Sequence, residues 1–182
     1  MSAIDEIAAL FETEGAQSYL GEAVTQAEHM LQAGWLAECA GADEALVAAA
    51  LLHDVGHFSG AAVTGNDLMS GRDNHHSDTG SAWLGQWFGP DVTEPVRLHV
   101  AAKRYLCAVE PGYFDQLSPA SVYTLSVQGG AMSESEAWSF ETSAHAADAV
   151  TLRRFDERAK DPDSRAPGFE HFREMLERLM RE

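Results

Sequence analysis

Residues 44–54 read Glu-Ala-Leu-Val-Ala-Ala-Ala-Leu-Leu-His-Asp. The stretch is apolar nearly all round at helical spacing, and a helix without a polar face belongs in the middle of a fold. It ends in a polar doublet, His53-Asp54, followed by Val55-Gly56-His57. A His and an Asp where a buried helix ends are costly unless something compensates their polarity. A divalent or trivalent metal does so, and imidazole with carboxylate suits iron, manganese or zinc better than calcium. Successive helical residues diverge by about 100°, so His53 and Asp54 address a metal from different sides. Asp54 could then bridge two ions while His53 binds one.

The rest of the chain reads as helix after helix. In 22–39, Ala23, Ala27, Met30, Leu31 and Leu36 recur at steps of one to five, a helical stripe. Gly41 and Asp43 stop that helix and cap the next. Gly56 and the Gly- and Asn-containing stretch 59–74 read as a loop. Helical patterns return at 78–88 and 94–108, and another opens after Ser118-Pro119, with Pro at a favoured first-turn position. Ser133 and Glu136 have capping-box spacing and open a long polar helical segment to about 160. A last amphipathic helix over 168–181 carries Phe169, Phe172, Met175, Leu176 and Leu179 on one side. Strand-like alternation is nearly absent, and no repeat or linker divides the chain. The expectation is one all-α domain over residues 1–182.

One doublet cannot complete a coordination sphere, so partners are expected on other helices. There are eight histidines, at 29, 53, 57, 75, 76, 99, 145 and 171. His29 lies beside the apolar stripe of its helix, His76 precedes the 78–88 pattern, and His99 sits in the apolar segment Leu98-His99-Val100-Ala101-Ala102. Asp156 is near the end of the long polar segment. Single ligands on separate helices converging on a central doublet are how a helical bundle builds a metal site. His75, adjacent to His76, competes for the same role. His145 and His171, in polar surroundings, read as surface residues, and Cys39 and Cys107 as small core fillers.

Composition narrows the partners. Twelve basic against 29 acidic residues give a net charge of −17, which argues against nucleic acid and against an anionic membrane surface. No apolar run is long enough to span a bilayer. Two cysteines make neither a disulfide framework nor a CxxC clip. With no basic, apolar leader at Met1-Ser2-Ala3, a cytoplasmic location is the expectation.

The order His29, His53-Asp54, His76, His99, Asp156 resembles the two-metal form of the HD-domain superfamily. More selective stretches are Tyr19-Leu20-Gly21-Glu22-Ala23, His99-Val-Ala-Ala-Lys103-Arg104-Tyr105-Leu106, Leu117-Ser-x-Ala-Ser121, Gln128-Gly129-Gly130 and Arg154-x-Asp156-Glu157. Together they are similar to the HD-domain oxygenases of organophosphonate catabolism. Members of that branch turn 1-hydroxy-2-aminoethylphosphonate into glycine and phosphate, or its N-trimethylated counterpart into glycine betaine and phosphate.

The resemblance implies a helical HD bundle around two iron ions, Fe(II)/Fe(III), with O₂ and a small hydroxyphosphonate as reactants. It implies one iron on His29, His53, Asp54 and Asp156, and the other on bridging Asp54 with His76 and His99. It also implies that Lys103, one turn beyond His99, binds the phosphonate together with Ser121 and Gln128. Tyr19 and Glu22 match a mobile pair near the open iron position, and His57 a residue orienting ligands or bound oxygen. Such a centre carries a local charge of roughly +3, a sink for a phosphonate dianion inside an acidic protein. Zinc fits the ligands but lacks the redox change. Small residues and two acids, Asp67 and Asp73, in the 59–75 loop favour the trimethylammonium substrate over the primary amine. A phosphohydrolase using its metals to activate water is the alternative of another class.

Overall fold

The computed structural model describes residues 2–13, 19, 21–58, 73 and 75–181. Among these residues the regular structure is helical throughout: α1 (Ala3–Thr13), α2 (Gln26–Cys39), α3 (Glu44–Leu52), α4 (His76–Leu84), α5 (Pro90–Val109), α6 (Pro119–Val127), α7 (Glu134–Glu141), α8 (Ala146–Arg158) and α9 (Arg173–Leu179). Short 3₁₀ turns occupy Val55–His57, Phe114–Gln116 and Phe169–Phe172. The all-α expectation holds. No described helix is long and apolar enough to cross a membrane.

α3 is the axis of the fold. Every residue from Leu46 to Leu52 is buried, and the helix is walled in by α2, α5, α8 and α9. Its start is fixed by Asp43, whose carboxylate accepts the Leu46 N–H at 2.9 Å. α2 lies close against it at Gly34, where a Cβ would sit 3.0 Å from the Leu51 Cβ. The main core combines this axis with Ile4, Ile7, Phe11, Met30, Leu84, Phe88, Val96, Leu152, Phe172 and Leu176.

Several boundaries differ from expectation, each for a local reason. α2 starts at Gln26 rather than 22, because Thr25 and Glu28 form a reciprocal capping box. α5 begins at Pro90 rather than 94, with Gly89 as its N-cap and Pro90 at a position whose N–H needs no partner. The long segment from Ser133 to 160 is two helices. Ser133 caps α7 as expected, but the chain turns after Glu141, and Thr142 Oγ1 donates back to the Ser139 carbonyl. α8 then packs along α5. α1 is an addition, buried through Ile4, Ile7 and Phe11 at steps of three and four. Over 168–181 the first turn is 3₁₀ and α9 follows.

Two minor assignments are corrected. Cys39 ends α2 exposed and is no core filler, whereas Cys107 is half-buried and packs against the cluster of Leu106, Tyr113, Leu117 and Leu125. His171 is at the surface, paired with Glu38, whereas His145 is partly covered beside Asp148. The 59–74 loop, Asp73 excepted, lies outside the described residues.

Candidate metal centre

Six of the expected side chains meet where five elements converge. His29 comes from the first turn of α2, His53 and Asp54 from the end of α3, His76 from the start of α4, His99 from the middle of α5 and Asp156 from the end of α8. All six are buried. His75, the competitor, is exposed with φ +49° beside Asp73, so His76 is the one that turns inward.

Asp54 divides the cluster between its two oxygens. Oδ2 lies 3.6 Å from His53 Nε2 and 3.8 Å from His29 Nε2. Oδ1 lies 3.3 Å from His76 Nε2 and 3.4 Å from His99 Nε2. Asp156 Oδ1 completes the first group, 3.3 Å from His29 Nε2 and 3.8 Å from His53 Nε2. The α3 helix ends at this doublet; Asp54 leaves helical geometry at φ −103°, ψ 10° and aims its carboxylate between the two groups.

The hydrogen bonding of this cluster calls for cations. The Nδ1 atoms of His29, His53 and His99 donate to the carbonyls of Ala159, Ala50 and Val96 at 2.7–2.8 Å. A carbonyl only accepts, so those nitrogens carry the proton and a neutral ring has a bare lone pair at Nε2. Yet His29 and His53 bring these lone pairs to 3.1 Å of each other, and His99 Nε2 stands 3.1 Å from His76 Nε2. Asp156 Oδ1 is buried without a hydrogen bond. Converging lone pairs and an orphaned carboxylate oxygen are what metal ions satisfy, with backbone carbonyls orienting the rings. The donor atoms of His29, His53 and Asp54, and those of Asp54, His57 and His76, lie within 4.8 Å of one another.

Titration behaviour agrees with a ligand set. Burial pushes His53 down to about 4 and His76 down to about 3, so both rings are neutral donors near neutrality. Burial also lowers His57. For Asp54, burial acts upward, but His53, His76 and His99 hold the carboxyl well below the usual range. For Asp156, burial is likewise outweighed by Arg153, with His29 and His53 beside it.

A narrow cleft of roughly 30 Å³ opens onto the cluster, lined by Tyr19, His57, Lys103, Ser121, Gln128 and Arg153, among others. Lys103 is buried one turn beyond His99, and its ammonium donates to Thr124 Oγ1 at 2.8 Å. Burial, with Arg153 nearby, pushes Lys103 down to about 7. Ser121, Thr124 and Gln128 form one stripe of α6 and its C-cap facing the cleft. The Tyr19 ring stacks on His29, centroids 4.1 Å apart. His57 stacks on His76 at 4.1 Å, with Nε2 4.0 Å from Asp54 Oδ1. Glu22 is set back from the cleft wall and accepts a 2.5 Å hydrogen bond from Ser118.

The expected list omits several residues. Arg153, buried, donates to Asp156, Glu157 and the Tyr113 hydroxyl. Its neighbour Arg154, in the stretch Arg154-x-Asp156-Glu157, instead faces outward and pairs with Glu110. Spacing held the clue, because Arg153 stands three and four residues before the two acids and Arg154 does not share that face with both. Thr124 lies one turn from both Ser121 and Gln128 and could have been found the same way. Gln26, whose amide donates to Asp54 Oδ2 at 2.9 Å, carries no comparable signal.

The site also depends on one close approach. At Gly56 a Cβ would fall 1.9 Å from the His76 carbonyl oxygen and 2.8 Å from the Gly80 nitrogen. Only glycine lets the turn after Asp54 touch the backbone of α4.

Residues 27–110 match the model of the HD domain family. Over 177 residues, 97% of this chain and 90% of the relative, the sequence is 40% identical to the [1-hydroxy-2-(trimethylamino)ethyl]phosphonate dioxygenase (glycine-betaine-forming) of Leisingera caerulea. It is 39% identical over 175 residues to a hydroxymethylphosphonate dioxygenase of Gimesia maris, covering 95% of this chain and 87% of that protein. An uncharacterised protein of Acanthamoeba polyphaga mimivirus is 32% identical over 95% of this chain and 80% of its own length.

Proposed function

The chain belongs to the HD-domain family, in the branch of the phosphonate dioxygenases, and from that premise we propose that it cleaves the C–P bond of (R)-1-hydroxy-2-(trimethylammonio)ethylphosphonate with O₂, giving glycine betaine and phosphate. The observation that carries this reading is the joining of two donor groups, shared by Asp54, to a cleft lined by Lys103, Ser121, Gln128 and Arg153. A site of that composition takes a small, strongly anionic ligand and offers it to metal.

His29, His53, Asp156 and Asp54 Oδ2 would hold one iron; His76, His99 and Asp54 Oδ1 the other. When bound, a Fe(II)/Fe(III) pair supplies O₂ activation and one-electron chemistry toward the carbon bearing hydroxyl and phosphorus. The remaining roles fall to this chain's side chains. Lys103 and Arg153 offset the phosphonate charge, the donors of Ser121 and Gln128 orient its oxygens, and Thr124 holds the Lys103 ammonium in place. Gln128 Oε1, buried without a hydrogen-bond partner, is available to a donor such as the substrate hydroxyl. Arg153 also holds the Asp156 oxygen that faces away from the donor cluster, fixing the plane of that carboxylate. Tyr19, stacked on His29, shields that ring where it borders the cleft. His57, packed on His76, keeps that ring in place. The aminoethyl substrate, giving glycine, is the reading closest to this one.

Purified protein loaded with iron is incubated in air with the trimethylammonio, amino and hydroxymethyl phosphonates. Expected are O₂ uptake, phosphate and glycine betaine in equal amounts from the first compound, and lower rates with the others. Phosphate release from nucleotides without O₂ consumption would instead establish a phosphohydrolase. Preference for either other phosphonate would reassign the substrate while leaving the reaction intact.

A further inference from the structure

Lys160, just past the end of α8, lies outside the cleft lining, yet its side chain is only 12% exposed and is saturated with partners. An ammonium has three N–H donors. Those of Lys160 reach Glu157 Oε1 at 3.1 Å, Ser121 Oγ at 3.0 Å and Ser118 Oγ at 3.3 Å. Glu22 Oε1 stands a further 3.6 Å away. Ser118 is fully engaged as well: it accepts from Lys160 and from the Ser121 N–H, and donates to Glu22.

We propose that Lys160 is a positioning residue that makes Ser121 a hydrogen-bond donor to the phosphonate. The inference rests on the reading of Ser121 as a phosphonate ligand. A serine hydroxyl has one proton and rotates to suit its surroundings. With Lys160 occupying a lone pair of Oγ from behind, the Ser121 proton is directed elsewhere, and the cleft is the direction left to it. Phosphonate oxygens only accept, so this is the polarity that binds them. Without the ammonium, the carboxylates of Glu157 and Glu22 compete for that same proton and draw the hydroxyl away from the phosphonate. Glu157 matters twice, because it also accepts from Arg153 on the cleft wall.

The test is a double-mutant cycle of Ser121→Ala, Lys160→Met and the pair, read by steady-state kinetics on the iron-loaded enzyme and by calorimetric binding of the hydroxyphosphonate without O₂. Lys160→Met is expected to weaken binding and raise KM roughly tenfold, the scale of one charge-assisted hydrogen bond, with iron content unchanged and kcat within about twofold. Lys160→Arg restores most of the affinity. The double variant is no weaker than Ser121→Ala alone, because Lys160 acts through that hydroxyl. Additive losses, or a fall in kcat at constant KM, overturn the inference while leaving Ser121 a ligand. Wild-type binding by Ser121→Ala overturns it by removing the ligand assignment itself. Lys160→Gln is carried through the same cycle, so that misfolding of the methionine variant leaves the decision intact.

Discussion

Replacing Gly56 by alanine is a one-carbon change that separates the two halves of the donor cluster. The added Cβ would lie 1.9 Å from the His76 carbonyl oxygen, below the 3.0 Å floor that real Cβ atoms keep, so turn and helix must part by about 1.1 Å. The obstruction is backbone on both sides, His76 C and Gly80 N standing at 2.8 Å, and no side chain can swing aside to absorb it. Metal–ligand distances tolerate about 0.2 Å, several times less than the forced shift. His76 rides on the displaced turn, whereas His29, His53 and Asp156 sit on α2, α3 and α8. The expected result is therefore selective: metal per chain falls from two toward one, with substrate-dependent O₂ uptake lost. Overpacking of this kind costs about 1–3 kcal/mol, which at this chain length lowers Tm by roughly 2–12 °C. Elemental analysis, thermal unfolding by circular dichroism and an oxygen electrode read all three quantities. Gly80→Ala approaches the same contact from α4 with a Cβ 2.9 Å from the Gly56 nitrogen, and should show the same defect in milder form. Two metals per chain, an unchanged Tm and full O₂ uptake in Gly56→Ala would refute the reasoning.

Three further outcomes follow from individual side chains. His99→Ala should lose the second metal and O₂ uptake while the helical content is kept; elemental analysis that still finds two irons, with full uptake, would remove His99 from the ligand set. Lys103→Met should raise KM by roughly 10- to 100-fold, the range of a hydrogen bond to a charged group, without loss of iron. Its pH dependence has a definite sign. Burial lowers the Lys103 pKa to about 7, so the cationic form that attracts phosphonate is present below that pH and lost above it. Wild-type KM should then climb above pH 7, and the slope should flatten in Lys103→Met; parallel profiles would exclude Lys103 as the titrating group. Arg153→Met strands the buried Asp156, its neighbour Glu157 and the Tyr113 hydroxyl. Breaking a buried ion pair costs about 3–5 kcal/mol, a Tm drop of roughly 6–20 °C in metal-free protein, and a calorimetric shift under about 2 °C would contradict it.

The helical class was legible because each helix advertises itself locally. The all-apolar run ending at Leu52, the cap at Asp43 and the capping box at Ser133 are decided by neighbours within one turn. The Thr25–Glu28 box is equally local and would have fixed the start of α2. The break between α7 and α8 was not legible, since nothing in 142–145 forbids a helix. It is decided by α8 packing lengthwise on α5. Cys39 shows the same limit: a small apolar residue reads as core until the end of α2 leaves it exposed.

The sequence alone determined which residue types were available for the site, and where. His53 and Asp54 at the end of an apolar helix announce buried polarity in need of compensation, and that signal is contained within eleven consecutive residues. Only the tertiary structure decided how the donors are shared. Asp54 faces two pairs of imidazoles because four helices meet its two oxygens, and His76 rather than His75 turns inward because α4 is drawn against Gly56. Arg153, Gln26 and Lys160 reach partners across the cluster through hydrogen bonds that in several cases span more than twenty residues. Helix formation is a short-range balance of backbone bonds and spacing; a binding site is a long-range coincidence of side chains, fixed by the packing that brings distant segments into contact.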